Sequence, residues 1–312
     1  MTRAPAEHFP LIFDLELSNR CNLDCVMCPR MPQKLHMGDM ERSLLDKVLD
    51  EALAVPGRRF RLHGIGEPLL SPHFEHAVER IKGAPLDHVV ELITNGHLLN
   101  RERVRFILRH EVDQVIVSVA AATAAGYEAV RRSTKFDLVV RNTLRLIDER
   151  TRLGAPTKVI VQLVRVPPVD REVDAFVEFW RRFDVEIELW HDLNWGLRVT
   201  HTPATLAHPP CPHLDTYTVV CWDGRVGICC VDAGRLHVIG NAATESVRDI
   251  YNGAVMQNLR AIHQRGTLYE MPICIDCSFR DGSHVAFAGN VHRTGETPGA
   301  LLPLPRLPII PS

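Results

Sequence analysis

The sequence predicts an α/β chain, a parallel sheet with helices outside it, followed by a small β-rich unit. Three observations predict this. From residue 11 to about residue 190, apolar runs of strand length alternate with stretches of helical spacing, in six units. Strands and helices in strict alternation give a parallel sheet. The alternation stops at Thr202-Pro203 and His208-Pro209-Pro210, and beyond it the cysteines return after a long gap.

The elements follow in order. Residues 11–17 form an apolar strand that leads straight into a cysteine-bearing loop. Residues 43–54 have helical spacing, with Ser43 placed to cap the helix. A short strand at 60–63 precedes a helix near 73–81. The strand 89–94 ends in Asn95-Gly96, a turn signal, and a helix follows at 101–110. A buried strand at 114–119 is followed by helices near 124–132 and 138–150. The last units are a strand at 158–166, a helix at 169–182 and a strand at 185–190. This divides the chain into residues 1–205, a second unit at 206–290 with one helix near 246–264, and a proline-rich tail at 291–312 that reads as extended or disordered. In parallel sheets of this kind the ligand sits at the C-terminal ends of the strands. The cysteine loop lies at that end of the first strand.

With 312 residues, the chain is long enough for one large domain or two modest ones. Its 46% hydrophobic content and formal charge of -2 suit an ordinary soluble enzyme, without the basic bias of a nucleic-acid binder. No apolar run reaches membrane-span length, and the N-terminus lacks the apolar core of a signal peptide. A cytoplasmic protein without nucleic-acid or membrane partners is expected. The nine cysteines fall in two groups, at 21–28 and at 211–277, separated by a long cysteine-free middle. That distribution argues against a disulfide framework and for two metal sites.

Cys21, Cys25 and Cys28 are spaced C-x3-C-x2-C. Three thiolates this close can hold three irons of a [4Fe-4S] cube, leaving the fourth iron to a small molecule. A zinc site would favour two C-x2-C pairs. After the second strand stands His63-Gly64-Ile65-Gly66-Glu67-Pro68, and the third strand ends in Thr94-Asn95-Gly96. Glycines at such places let the backbone approach a ligand.

The cysteine triplet and the segments after it resemble the radical S-adenosylmethionine (SAM) superfamily. The resemblance implies a partial (β/α)6 barrel. It also implies that SAM chelates the open iron and, on receiving one electron, yields a 5'-deoxyadenosyl radical that takes hydrogen from an unactivated carbon. Gly64, Gly66 and Glu67 then shape the loop that meets the methionyl group, and Asn95 is SAM-proximal. Ser118 and Arg131 resemble the ribose- and carboxylate-contacting pair, the latter through a charge-assisted contact. Met27 stands where relatives pack against adenine. One departure is clear: relatives often carry an Asp two residues after the strand-4 Ser, whereas this chain reads Ser118-Val119-Ala120-Ala121.

The second cysteine group, Cys211-(x12)-Gly224-(x4)-Cys229 with a later Cys274-(x2)-Cys277, resembles the SPASM signature of auxiliary-cluster domains. The Asp223-Gly224 pair marks a hairpin. A further cysteine of the full pattern is replaced by Ser283, so the resemblance is to the truncated Twitch form. It implies a second [4Fe-4S] cluster on Cys211, Cys229, Cys274 and Cys277, and a flavodoxin- or ferredoxin-type reductant. Zinc on the same four cysteines is the alternative. Cys221 and Cys230 are left over, and Cys230 could replace Cys229 as ligand.

The class implied includes antibiotic-pathway carbohydrate epimerases and aminocyclitol dehydrogenases. The leading expectation is epimerisation of a sugar or aminocyclitol carbinol, with Cys230 as hydrogen donor. The alternatives are oxidation to a ketone through the auxiliary cluster, and peptide modification. The last is disfavoured by a start about ten residues before the first strand, which leaves no room for a leader-binding domain. A non-catalytic iron–sulfur carrier would need no SAM pocket. Gln162, His191, Asp192 and Asn194 are candidate substrate-facing residues, with His191 or Asp192 as a base.

Overall fold

In the structure, a computed structural model that describes residues 8–30, 36–191, 210–233, 235, 237–275, 277 and 285–288, the alternation is present. The first half runs β1 (Ile12–Leu15), α1 (Arg42–Leu53), β2 (Arg59–Leu62), α2 (Phe74–Lys82), β3 (Val89–Thr94) and α3 (Arg101–Arg109). It continues with β4 (Gln114–Val117), α4 (Ala124–Arg131), α5 (Phe136–Leu153), β5 (Lys158–Arg165), α6 (Val173–Trp180) and β6 (Glu186–His191). Strands β1 to β6 pair in parallel in chain order. This is the expected partial (β/α)6 arrangement.

The period of two along each strand decides the faces. Phe13, Leu15, Phe60, Leu62, Val90 and Leu92 are fully buried in one core with the helices. Each such side chain contributes roughly 1.5–3 kcal/mol of burial. The alternate positions hold Asp14, Arg61, Glu91, Gln162 and Glu188, and they point to the opposite, inner face. The helices follow the same logic from outside: α1 buries Leu44, Leu45, Val48, Leu49 and Ala52 as one stripe.

Three local expectations are corrected. Ser43 does not cap α1: the helix starts one residue earlier, after Glu41, and has no side-chain cap. The apolar stripe, packed on the sheet, sets the start. The helix expected from residue 169 begins at Val173, after a 3-10 turn at Asp170–Glu172. The Glu172 carboxylate there accepts from the backbone N–H groups of Ala122 and Thr123, at 2.8 and 3.0 Å. The helix expected at 246–264 is two, α8 (Val247–Asn252) and α9 (Ala254–Arg265), once α7 (His213–Thr216) is counted. Gly253, extended at ψ 165°, separates them.

Among the described residues, the second unit adds to the first sheet and builds none of its own. β7 (Tyr217–Val220) lies parallel beside β1, and β8 (Arg225–Gly227) and β9 (Val238–Asn241) extend it antiparallel. The hairpin turns at Asp223-Gly224 as expected, and Gly224 has φ +88°, a conformation that suits glycine. After α10 (Pro272–Ile275), β10 (Val285–Ala288) pairs antiparallel with β6. The described strands thus form one sheet ordered β10-β6-β5-β4-β3-β2-β1-β7-β8-β9. Both edges of the half barrel are paired with strands from after residue 210. Residues 291–312, Asp192 and Asn194 lie outside the described residues. Among the described residues, no helix is long and apolar enough to cross a membrane.

Candidate active site

One cavity opens at the C-terminal ends of the strands. Cys21, Cys25, Cys28 and Met27, from the loop after β1, form one wall. Gly64, Gly66, Glu67, Asn95, Ser118 and Arg131 form the next. Gln162, His191 and Cys230 line the remainder, His191 at an exposed position. The fold thus brings together the residues expected near the catalytic cluster and SAM, from the ends of β1 to β4, with residues of β5, β6 and the appended unit.

The glycines of the β2–α2 loop also serve a neighbour within the chain. A Cβ at Gly66 would stand 2.2 Å from the Ser18 carbonyl oxygen, and one at Gly64 would stand 2.5 Å from Glu16 Cγ. They let the loop close on the start of the cysteine loop. Glu67 fixes the loop's other side. Its carboxylate accepts from Leu69 N (3.2 Å), Thr94 Oγ1 (2.8 Å) and Asn95 N (2.7 Å). Asn95 Nδ2 in turn donates to Asn22 Oδ1 at 2.7 Å and lies 3.8 Å from Cys21 Sγ. Three strand ends are thereby tied to one another by one buried carboxylate and one amide.

Burial pushes the Glu67 carboxyl up to about 7 despite its three donors. A carboxyl with a raised pKa favours the folded state in its neutral form. Its contribution is therefore complete below its ordinary value of 4.5 and is lost as pH rises through about 7. Glu67→Gln, neutral throughout, is expected to lack that fall when unfolding free energy is measured by denaturant from about pH 5 to 8. The variant should also be destabilised by about 1–3 kcal/mol, because an amide nitrogen then faces one of the three donors. A pH profile parallel to wild type would remove this role.

Arg131 is buried in the cavity wall, far from the helix surface. Its Nη1 lies 3.2 Å from Cys25 Sγ and its Nη2 donates to the Ser118 carbonyl at 2.8 Å. Its Nε is buried without a partner. The Ser118 hydroxyl donates to Gln162 Oε1 at 3.0 Å, so in this structure it is turned to β5. Gln162 Nε2 donates to Glu188 Oε2 (3.3 Å), which also accepts from Trp190 Nε1 (2.9 Å). Behind the cysteine loop, Asn22 Nδ2 donates to His97 Nδ1 (3.3 Å), and His97 Nε2 bonds the Tyr127 hydroxyl (2.8 Å). At the position where relatives carry Asp, Ala120 has φ +71°. The loop just after it is held by the Glu172 carboxylate.

Cys230 reaches the cavity from the appended unit. Burial, then Asp14, pushes its thiol up to about 11, and it shares a hydrogen bond with Tyr217. Tyr217 donates to Asp14 Oδ2. Arg61 stands 3.4 Å from Asp14 Oδ1 through Nη1 and 3.4 Å from Glu91 Oε2 through Nε. The neighbouring His63 lines the cavity, and burial pushes its imidazole down to about 4. Arg61, His63 and Trp190 line the cavity but were missed in the sequence reading. The signal was present: single polar residues at every second position of apolar strands, as in Ile12–Leu15 (IFDL) and Arg59–Leu62 (RFRL).

The auxiliary cysteines also gather. Cys211, Cys229 and Cys274 pack on one apolar cluster with Leu214, Met256 and Ile262. Burial raises Cys229 well above the usual thiol value, and Cys230, Cys274 and Cys277 add to it. Cys221 is buried elsewhere, accepting from Arg235 Nε at 3.0 Å. Among the described residues, no three Cys, His, Asp or Glu groups converge as one zinc ion would require.

A half barrel with three cysteines beside its ligand cavity, and four more gathered on an appended unit, defines an iron–sulfur enzyme with one catalytic and one accessory centre. Residues 15–179 match the Radical SAM superfamily, and residues 211–278 match SPASM, an iron-sulfur cluster-binding domain. The chain belongs to the radical SAM superfamily and binds SAM and [4Fe-4S] clusters, an auxiliary cluster among them.

It is 24% identical to the tungsten-containing aldehyde ferredoxin oxidoreductase cofactor-modifying protein of Pyrococcus furiosus, over 91% of this chain and 92% of that one. It is 24% identical to the mycofactocin maturase MftC of Mycobacterium tuberculosis, over 58% of this chain and 51% of the maturase, and so spans about half of that relative. The fold is similar to that of BtrN in complex with AdoMet and 2-DOIA, with TM-score 0.62, 18% identity, and 87% and 94% of the two chains covered. It is also similar to Streptococcus suis SuiB bound to precursor peptide SuiA, with TM-score 0.66, 12% identity, and 81% and 67% covered.

Proposed function

We propose that this enzyme epimerises a carbinol carbon of a sugar- or aminocyclitol-type small molecule, with Cys230 returning the hydrogen. One observation carries the proposal: Cys230 lines the same cavity as Cys21, Cys25 and Cys28. In this reading those three cysteines hold the catalytic cluster. Gly64, Gly66, Glu67, Asn95, Ser118, Arg131 and Met27 surround SAM, and the unpartnered Arg131 Nε leaves a donor for it. Cys211, Cys229, Cys274 and Cys277 hold the auxiliary cluster. Bound together, the catalytic cluster and SAM supply one-electron chemistry that removes a hydrogen atom from an unactivated C–H bond.

The protein's own part follows. Arg61, His63 and Trp190 form the polar side of the cavity against which the substrate is held. The Cys230 S–H bond breaks as the new C–H bond forms at the substrate radical, and the odd electron passes to sulfur. One electron from a flavodoxin- or ferredoxin-type reductant and one proton restore the thiol. The high pKa of Cys230 keeps its hydrogen in place at neutral pH.

A second reading is oxidation of the same carbon to a ketone, in which the substrate radical loses a proton and a second electron. The likeness to BtrN over 87% of the chain favours it. Peptide modification is the third, favoured by the likeness to SuiB bound to its precursor peptide. Product analysis in deuterated water, with a panel of aminoglycosides and sugars, tests the proposal. Epimerisation is expected to leave one deuterium at the inverted carbon. A product lighter by two hydrogens and free of deuterium would replace epimerisation by oxidation.

A further inference from the structure

We infer that Arg131 is a positioning residue for the catalytic cluster itself, holding its reduction potential up through the Cys25 sulfur. The inference rests on Cys25 being a ligand of that cluster. The guanidinium comes from the last turn of α4, where the Val130 carbonyl accepts from Val26 N at 2.9 Å, and its Nη1 lies 3.2 Å from Cys25 Sγ. Its Nη2 is committed to the Ser118 carbonyl at 2.8 Å. Two of the three guanidinium nitrogens are therefore engaged before any ligand enters. The fork is fixed by a backbone carbonyl at the end of β4, so the contact to sulfur does not depend on a mobile side chain.

The surroundings magnify the effect. Arg131 is 9% exposed and Cys25 is 9% exposed, so little water screens the pair. The other side chains facing the guanidinium are Tyr127, His97 and the thiols of Cys21 and Cys28. The Glu67 carboxylate, also nearby, is spent on its own three donors. Reduction adds one negative charge to a cluster whose sulfurs already carry negative charge. A fixed cation donating to one of those sulfurs stabilises the reduced form more than the oxidised form, and raises the potential. Arg131 would thus ease the electron delivery on which each turnover depends, whatever the substrate.

The test uses the full two-cluster protein and the reduced-cluster EPR signal that changes on SAM addition, which identifies the catalytic centre. Its midpoint is measured by redox titration without SAM in wild type, Arg131→Gln and Arg131→Lys. Arg131→Gln is expected to shift the midpoint to a more negative value. Poised at the wild-type midpoint, its reduced-to-oxidised ratio should fall on the order of tenfold, the loss of one charge-assisted hydrogen bond. That corresponds to about 59 mV for a one-electron couple. Arg131→Lys, which keeps the charge and loses the fork, should fall between. An unchanged midpoint in Arg131→Gln, with SAM affinity alone reduced, would overturn the inference and return Arg131 to SAM binding only. Loss of the cluster from both variants would overturn it too, by replacing tuning with retention. Survival of the SAM-sensitive signal in Cys25→Ala would instead show that the ligand assignment beneath it is wrong.

Discussion

Replacing Cys21, Cys25 and Cys28 together by alanine is expected to abolish SAM cleavage and to remove about half of the bound iron. Two [4Fe-4S] clusters give about eight irons per chain after anaerobic reconstitution. The triple variant should keep the four held by the second cysteine group. The structure explains why the two losses should be independent. The first three cysteines line the cavity at the end of β1. Cys211, Cys229 and Cys274 sit on a separate apolar cluster with Leu259 and Met271. Substitution at the first site removes no packing from the second. Iron content and deoxyadenosine formation on incubation with SAM and dithionite are the measurements. Deoxyadenosine from the triple variant would refute the placement of the catalytic centre.

The second large effect separates two adjacent cysteines. Cys230→Ala is expected to keep both clusters and the first hydrogen abstraction, and to stop epimer formation. Cys229→Ala is expected to lose auxiliary iron. Adjacent residues emerging from a strand point to opposite sides, and these two do so just past β8. Cys229 turns towards Cys274 and Cys277, and Cys230 towards Asp14, Arg61 and Tyr217. Ketone formed at an undiminished rate by an iron-replete Cys230→Ala protein would make the enzyme a dehydrogenase. Iron loss from Cys230→Ala with iron kept by Cys229→Ala would exchange their roles. Epimer formed at full rate by the iron-replete Cys230→Ala protein would end the donor proposal.

Much of the catalytic half was legible because its chemistry is local in sequence. Cys21, Cys25 and Cys28 lie within one loop, and the further segments of the pocket end strands, except Arg131, which ends α4. A parallel sheet brings successive strand ends to one side, so a list of strand-end motifs is already a list of neighbours. The resemblance to the radical SAM superfamily singled out Gly64, Gly66, Glu67, Asn95, Ser118 and Arg131 among them, and all line the cavity. What each side chain does there was less legible. The Gly66 backbone meets Ser18, and the Arg131 guanidinium meets Cys25. Such partners are set by how loops from distant positions close on one another, and spacing along the chain does not encode that.

By itself the sequence determined the alternation of strands and helices, the two cysteine sets and the cavity end of the sheet. Each of these follows from residue type and short-range period. Only the tertiary structure decided that β7 pairs with β1 and that β10 pairs with β6. Pairing between strands about 100 to 200 residues apart is selected by burial and by edge hydrogen bonds, which leave no local pattern. The same pairing sets Tyr217 against Asp14 and carries Cys230 to the cavity wall. The period of two had already put Asp14, Arg61 and Glu91 on one face of their strands. Parallel register then aligned them at one level, Asp14 opposite Arg61 and Arg61 opposite Glu91. Arg61 stands between two carboxylates across three strands because the sheet, not the sequence order, makes them neighbours.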